Sequence, residues 1–281
     1  MKKELLRFTA ASSALLLSAG CADTPALTSP SDGGVPVHVA PIKYGQLDFT
    51  AHPAVVLIIM DVAGAPAFRC SGTLVSAQFV VTAGHCTGEP GEFSGMRVFT
   101  EADVQNGNNN YPYPGPNTVE ASGWWSHPNF TEAAFFLHDV GVIKLTSPII
   151  LASSAYGVLP AANQLDALKP SAATTFTTVG YGLQFVNPDK VVAEKVRMFA
   201  SPHLIQINTG STGIGSLILS NNAATGGSCF GDSGGPNYIG TSAVIAGVTS
   251  FGKNSTCSGT GGVFRLDRSD VLAFINAALL H

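Results

Sequence analysis

The sequence of 281 residues has few charged side chains, which make up 11% of the chain and leave a net charge of −4 at pH 7. Proteins that bind nucleic acid or acidic membrane surfaces usually present a concentrated basic field. No such field is present, so both are poor candidate partners. The sequence also lacks the C-x-x-C and paired-histidine spacings of zinc sites. We therefore expect neither a metal nor a cofactor.

Long hydrophobic runs are also missing at the N terminus, where the apolar residues 10–19 form too short a run to span a bilayer. The basic flank before this run predicts an export signal over residues 1–21. The run ends in Leu17-Ser-Ala-Gly-Cys21, which resembles the bacterial lipobox, in which the cysteine carries lipid and attaches the protein to the cell envelope. Cleavage by an ordinary signal peptidase near this site, followed by secretion, is the alternative.

Residues 22–41 are rich in Pro, Ser, Thr, Asp and Gly, which predicts a flexible linker or propeptide.

Cysteine is scarce, at five residues. If Cys21 carries lipid or leaves with the signal, an even number remains in an oxidising compartment, where disulfides persist. Four cysteines allow three pairings. We favour the local pairs Cys70–Cys86 and Cys229–Cys257, each contributing about 3 kcal/mol by closing a modest loop.

Helical periodicity is almost absent from residue 42 onward, which disfavours a helical or mixed fold. The apolar runs are instead short, rich in β-branched residues and separated by turn residues. Such strands predict an all-β barrel or sandwich. The exception is residues 269–280, which predict a C-terminal helix with Ser269 as its N-cap. Residues 101–118 predict a long polar surface loop. The predicted strands cover residues 54–60, 72–75, 79–82, 140–145, 174–179 and 191–199.

A serine flanked by glycines, Ser233 in Gly231-Asp-Ser-Gly-Gly235, also fits the G-x-S-x-G nucleophile elbow of α/β-hydrolases. That fold needs its acid and its histidine after the serine, and a helix directly behind it. Few residues follow Ser233, and the next apolar run, residues 243–251, predicts a strand. The elbow is therefore rejected.

A nucleophilic serine needs a base and an acid that orients the base, and both occur upstream of Ser233. His85 directly follows the predicted strand of residues 79–82. Asp139 stands at the entrance of the predicted strand of residues 140–145. The order along the chain is histidine, aspartate, serine.

The segments VTAGHC, HDVGVIKL and GDSGGP resemble the three signature segments of the chymotrypsin-like serine proteases, in the family's order, within a domain of residues 42–281. The resemblance implies two six-stranded antiparallel β-barrels packed together with a C-terminal helix. It also implies a monomeric serine endopeptidase that acts on polypeptides, in which Ser233 attacks, His85 transfers the proton and Asp139 orients the imidazole. The N–H groups of Gly231 and Ser233 would form the oxyanion hole.

The resemblance also implies a substrate pocket. Its base would lie at Gly227, where trypsin-like members carry aspartate, and its walls at Gly252 and Gly262. Ser250 would line the cleft and support Asp139, while Phe251 narrows the rim. Because no charge stands at the base, we expect cleavage after large apolar residues rather than after arginine or lysine.

Asp232 raises a further question, since in many relatives this carboxylate is buried against a new α-amine made by propeptide cleavage. Residues 41–45, PIKYG, match that cleavage site poorly. A buried carboxylate requires a cation. We therefore expect either removal of residues up to 41 or a substitute side chain. Alternative functions are a catalytically silent homologue that binds partners through the same cleft, and an esterase with the same triad.

Overall fold

The computed structural model describes residues 42–187, 189–210 and 212–281. The predicted export signal, the lipidation site Cys21 and the linker lie outside these residues. The described part of the chain is mainly β-structure. Its strands, numbered along the chain, are β1 (Gln46–Leu47), β2 (Val55–Val62), β3 (Ala65–Leu74), β4 (Phe79–Thr82), β5 (Gly95–Phe99), β6 (Thr118–Ser126), β7 (Gly141–Leu145), β8 (Ser171–Gly180), β9 (Phe185–Asn187), β10 (Lys190–Val192), β11 (Met198–Ala200), β12 (His203–Thr209), β13 (Gly213–Asn221), β14 (Pro236–Ile239), β15 (Ile245–Gly252) and β16 (Gly259–Arg265).

The first barrel closes in the order β2-β3-β4-β7-β6-β5, with antiparallel neighbours. Its central strand β2 is buried along nearly its whole length, from Val55 to Asp61. Such a continuous apolar run is possible because the strand faces the barrel interior on one side and neighbouring elements on the other. The hydrophobic core of this barrel continues into residues of the second barrel, including Tyr238 and Val248.

The second barrel is the ring β8-β12-β13-β16-β15-β14, which the pairing of β14 with β8 closes. Strands β11 and β1 extend the sheet from the edge of β8, and β9 and β10 form a separate hairpin. This arrangement confirms the two six-stranded antiparallel barrels that the family resemblance implied.

The helices are short. They are α1 (Gly84–Thr87) and α2 (Ser269–Ala278), with 3-10 turns at Glu132–Leu137, Ser153–Ala155 and Gln164–Ala167. The C-terminal helix α2 is confirmed and buries Val271, Ile275 and Ala278 in the core of the first barrel. Ser269 is not its N-cap, because the helix begins one residue earlier than expected and Arg268 occupies the cap position without a side-chain hydrogen bond. Neither described helix is long and apolar enough to cross a membrane.

The predicted strand of residues 191–199 is wrong as a single element, since β10 ends at Val192 and β11 begins at Met198. Between them the buried Arg197 donates from Nε to Asp48 Oδ2 over 2.7 Å, and from its other nitrogens to the carbonyls of Phe49 and Val55. The backbone between the two strands pairs elsewhere, since the Val104 N–H donates to the Lys195 carbonyl over 2.9 Å and the Arg197 N–H donates to the Ala102 carbonyl over 2.6 Å.

Two disulfides join the elements around the turn that carries Ser233 and the helix that carries His85. Cys70 in β3 pairs with Cys86 in α1, and Cys229 pairs with Cys257. Both are the local pairs favoured from the sequence. The first disulfide ties the residue next to His85 to β3. The second ties the segment that precedes Ser233 to the loop between β15 and β16.

Candidate active site

His85 is held by the one-turn helix α1, directly after β4. Gly84 precedes it because a Cβ there would lie 2.7 Å from the ring of Phe130. Cys86 follows it and is tied to β3 by the disulfide. The Phe135 ring packs nearly perpendicular to the imidazole, with 5.7 Å between the two ring centroids. These contacts restrict the imidazole to one orientation.

Asp139, immediately before β7, is fully buried and accepts three hydrogen bonds. The backbone N–H of His85 donates to Oδ1 over 2.9 Å, and Nδ1 of the same histidine lies 2.9 Å from Oδ2. Ser250 Oγ, on β15, donates to Oδ2 over 2.5 Å. The carboxylate is therefore satisfied within the protein, and it fixes Nδ1 of His85 as the protonated nitrogen.

The electrostatic environment favours a charged imidazole. Burial alone would lower the pKa of His85, but the charge and hydrogen bond of Asp139, together with the charge of Glu132, raise the pKa above its ordinary value. Glu132 opens the 3-10 turn that precedes Asp139 and lines the same cavity as His85. Burial and the neighbouring Glu92 in turn raise the pKa of Glu132.

Ser233 lies in a tight turn between β13 and β14. Gly231 and Gly234 have φ angles of +95° and +77°, which side chains rarely adopt. The turn is fastened to β3, since the Ser71 N–H donates to the Ser233 carbonyl over 2.8 Å and Ser71 Oγ donates to the Gly231 carbonyl over 3.0 Å. Within the described residues, neither the N–H of Gly231 nor that of Ser233 donates to a protein acceptor.

His85 and Ser233 meet in one cavity of about 320 Å³. No hydrogen bond joins their side chains within 3.5 Å in the described structure, and such contacts commonly tighten only when substrate binds. The cavity is mostly apolar. Its other lining residues are Glu132, Phe135, Ser228, Cys229, Phe230, Thr249, Ser250, Phe251, Gly252 and Cys257.

The predicted pocket residues fall into two groups. Ser250, Phe251 and Gly252 line the cavity, whereas Gly227 and Gly262 are not among its lining residues. A Cβ on Gly262 would lie 2.3 Å from the ring of Phe251, so this glycine makes room for that ring.

Gly261, the neighbour of Gly262, is not among the lining residues either. A Cβ on Gly261 would lie 3.0 Å from Ser228 Oγ, and Ser228 lines the cavity.

Asp232 is fully buried beneath the turn. Its carboxylate accepts the N–H groups of Gly182 over 2.7 Å and Cys229 over 2.8 Å. Burial raises its pKa to about 7, although both hydrogen bonds and the charge of Arg69 act to lower it. In the described residues no cationic nitrogen lies within 4.0 Å of this carboxylate.

Two groups of side chains bring possible metal ligands together. In the first, Cys70 and Cys86 flank His85, but their sulfurs form the disulfide. In the second, ligand atoms of His127, His138 and Asp270 lie within 4.8 Å of one another. His127 Nδ1 accepts the N–H of Asn129 over 3.2 Å, so the neutral ring carries its proton on Nε2, which faces Asp270. In this tautomer Nε2 has no free lone pair with which to bind a metal ion.

The Trypsin family profile matches residues 50–269, which is more than half of the chain. The chain belongs to the trypsin family. It is 25% identical to "Trypsin iota" of Drosophila melanogaster over 211 residues, covering 70% of this chain and 73% of that protein. It is 31% identical to "Serine protease 56" of Homo sapiens over 222 residues, which are 74% of this chain but only 34% of the human protein.

The fold is also similar to that of a solved structure, the "HL collagenase", with a TM-score of 0.64 and 19% identity over 85% of this chain and 99% of that one. Membership of this family makes the chain a serine-type endopeptidase, a hydrolase of polypeptide substrates.

Proposed function

We propose that Ser233, His85 and Asp139 form a catalytic triad that cleaves peptide bonds through an acyl-enzyme. The observation that carries the proposal is the buried Asp139, which holds Nδ1 of His85 at 2.9 Å and so turns Nε2 toward the cavity shared with Ser233. Acyl transfer by a serine generally uses this relation of serine, histidine and buried aspartate, because the aspartate sets the imidazole tautomer.

The reaction follows from this geometry. Ser233 Oγ attacks the carbonyl carbon of the peptide bond and gives its proton to Nε2 of His85. The C–N bond then breaks as Nε2 passes that proton to the departing amine, which leaves an ester on Ser233. Water attacks the ester, Nε2 takes a proton from the water and returns it to Ser233 Oγ, and the acid product leaves.

The negative charge that develops on the carbonyl oxygen needs donors, and we assign this role to the N–H groups of Gly231 and Ser233. Both are free of protein acceptors in the described structure. The left-handed conformation of Gly231 belongs to the turn that brings these two groups together. Removing one such donor generally costs about 3 to 4 kcal/mol of transition-state stabilisation.

The pocket favours large uncharged side chains. Phe135, Phe230 and the Cys229–Cys257 disulfide supply apolar lining, and Glu132 is its one acidic lining residue. A fixed positive charge lies behind the wall, because the buried Lys43 donates from Nζ to the Thr256 carbonyl and to Ser258 Oγ on either side of Cys257. This ammonium disfavours arginine and lysine in the pocket.

We further propose that the enzyme is exported, since disulfides form and persist mainly in oxidising compartments. That it acts as a monomer is proposed from the family resemblance alone. Attachment to a bacterial envelope through lipidated Cys21 rests on the N-terminal sequence alone. Mass spectrometry of the membrane fraction tests it, because a diacylglycerol on Cys21 supports the anchor and a soluble chain starting beyond residue 21 opposes it.

The triad is tested with a fluorophosphonate probe, which labels an activated serine. We expect labelling of the wild type, none in Ser233→Ala, and a large loss in His85→Ala. An unlabelled wild type would favour a silent homologue that binds partners through the cleft. Turnover of an ester reporter without turnover of the matching amide would favour an esterase.

Asp232 bears on activation. Arg69 is the substitute cation that the structure offers, since its charge acts on this carboxylate. N-terminal sequencing of active enzyme separates the two routes. A fully active chain that retains residues 22–41 supports Arg69, whereas a chain that begins at Ile42 supports a new α-amine.

A further inference from the structure

The substrate cavity is lined differently at its two ends. At one end lies the Cys229–Cys257 disulfide, with the ammonium of the buried Lys43 behind it. At the other end lies Glu132, the one acidic residue of the lining. The charge of His85 acts on the pKa of Glu132, and Lys43 is not among the causes of that shift. These two regions are called the disulfide end and the histidine end of the cavity below.

The backbone around Glu132 places it at the histidine end. The residue opens the 3-10 turn Glu132–Leu137, whose Phe135 packs against the imidazole of His85 with 5.7 Å between the ring centroids. The Glu132 N–H donates to Glu89 Oε1 over 3.4 Å. The side chain of Glu132 itself is exposed and faces the cavity. A substrate that reaches His85 therefore passes close to this carboxylate.

The carboxylate of Glu132 has no cationic partner among the described residues, since no cationic nitrogen lies within 4.0 Å of it. Burial and the like charges of Glu92, Asp139 and Glu89 raise its pKa, and the charge of His85 is the one influence that lowers it. Like charges at such a site favour the arrival of a cation, which relieves their repulsion and gains an ion pair. The histidine end therefore favours a positively charged group of the substrate.

Strand β15 indicates which residue of the substrate meets Glu132. In the described structure β15 pairs with β14 as far as Val248, and its residues 250–252 line the cavity beyond that point. An extended peptide can add to such a free strand edge. Because side chains alternate between the two faces of a strand, the residue before the one that fills the disulfide end points away from that end. Its side chain is thereby directed towards the histidine end.

We propose that Glu132 is a specificity-determining residue, which selects arginine or lysine at the substrate position directly before the residue that is cleaved. The proposal rests on the proposed peptidase function and adds a second substrate position to it. The two ends of the cavity then select neighbouring residues by opposite criteria. The ammonium of Lys43 disfavours a cation at the disulfide end, whereas the carboxylate of Glu132 attracts one at the histidine end.

The test uses peptide reporters that share one large apolar residue at the cleavage position and carry arginine, glutamine or glutamate directly before it. For the full-length wild type we expect kcat/KM to be about three- to fivefold higher with arginine than with glutamine, the upper range for an exposed ion pair. We expect glutamate to be the poorest of the three. Each ratio is taken within one variant, so that a changed pKa of His85 affects both reporters alike.

Two variants remove or reverse the charge, and a third is the control. In Glu132→Gln, which keeps the size of the side chain, we expect the arginine and glutamine reporters to differ by less than about 1.5-fold. In Glu132→Lys we expect glutamate to become better than arginine. Glu120→Gln changes an exposed carboxylate of β6 that does not line the cavity, and it should keep the wild-type ratios.

Fluorophosphonate labelling separates this inference from the proposed function. A labelled wild type that cleaves the arginine and glutamine reporters equally would overturn the role of Glu132 and leave the triad standing. An arginine preference that survives in a normally labelled Glu132→Gln would also overturn it. Should that variant prove unlabelled, the wild type is compared at about 0.05 M and about 0.5 M NaCl, where a preference that does not weaken with salt excludes the ion pair. A wild type that is not labelled at all contradicts both proposals.

Discussion

The side chain of Glu132 has a consequence for the pH dependence of the proposed base. Burial lowers the pKa of His85, but the charges of Asp139 and Glu132 outweigh it and raise the pKa, and only the neutral imidazole can accept the proton of Ser233. Activity therefore rises as the pH rises through this pKa. In Glu132→Gln the pKa falls, so we expect the acidic limb of the rate of fluorophosphonate labelling to move to lower pH. Glu92→Gln is the matched control, because the charge of Glu92 acts on Glu132 and is not among the causes of the His85 shift. An unmoved limb in Glu132→Gln would remove Glu132 from the electrostatics of the site.

Individual residues also differ in how far sequence alone predicts their roles. His85, Asp139 and Ser233 lie in the three signature segments. In the structure His85 and Ser233 line one cavity with Ser250, and Asp139 lies buried behind His85. The sequence gives only a weak indication that Glu132 belongs to the site, namely an acidic residue shortly before Asp139.

At the scale of elements, the turn between β13 and β14 is shaped by glycines that tolerate no side chain. A Cβ on Gly234 would lie 1.9 Å from Thr82 Oγ1, 2.5 Å from the Ser71 carbonyl oxygen and 2.8 Å from the Ala83 nitrogen. Two of these atoms are backbone and cannot move aside. We expect Gly234→Ala to lower the free energy of unfolding by more than about 3 kcal/mol in urea titrations.

Gly240 is the control, because a substitution there strains the backbone without a steric clash. Its φ is +54°, and a Cβ at this position meets no atom within 4 Å. Gly240→Ala should cost about 1 kcal/mol. Equal losses in the two variants would contradict the steric account.

The elements that could be predicted are those whose apolar pattern and buried face agree. The run of residues 54–60 became β2, and residues 174–179 became the inner part of β8. The prediction of one strand over residues 191–199 was wrong because the backbone of Lys195 and Arg197 is hydrogen-bonded to the distant residues Val104 and Ala102, which a local sequence pattern does not report.

Across the whole molecule, Arg69 and Asp232 couple the two barrels, because Arg69 belongs to β3 of the first barrel and Asp232 to the turn that feeds β14 of the second. Burial raises the pKa of Asp232 from an ordinary 3.8 to about 7. The unfolded chain thus releases this proton at lower pH than the folded one, so the contribution of Asp232 to stability is complete below about pH 4, is lost as the pH rises toward 7, and then stays level.

The charge of Arg69 stabilises only the ionised form of Asp232. Removing Arg69 should therefore lower the free energy of unfolding only at pH values at which Asp232 is ionised in the folded protein. We expect Arg69→Met to lower the free energy of unfolding by about 0.5 to 1 kcal/mol at pH 8.5, a modest value because Arg69 is only half-buried and is screened by solvent. At pH 5, where Asp232 is protonated in the folded state, the same variant should match the wild type. Lys195→Met is the control, since Lys195 lies near Arg69 but is not among the causes of the Asp232 shift. Urea titrations of the full chain at the two pH values provide the measurement. A loss of equal size at both would mean that Arg69 acts through packing, and the cation that serves Asp232 would then have to be sought at the N terminus.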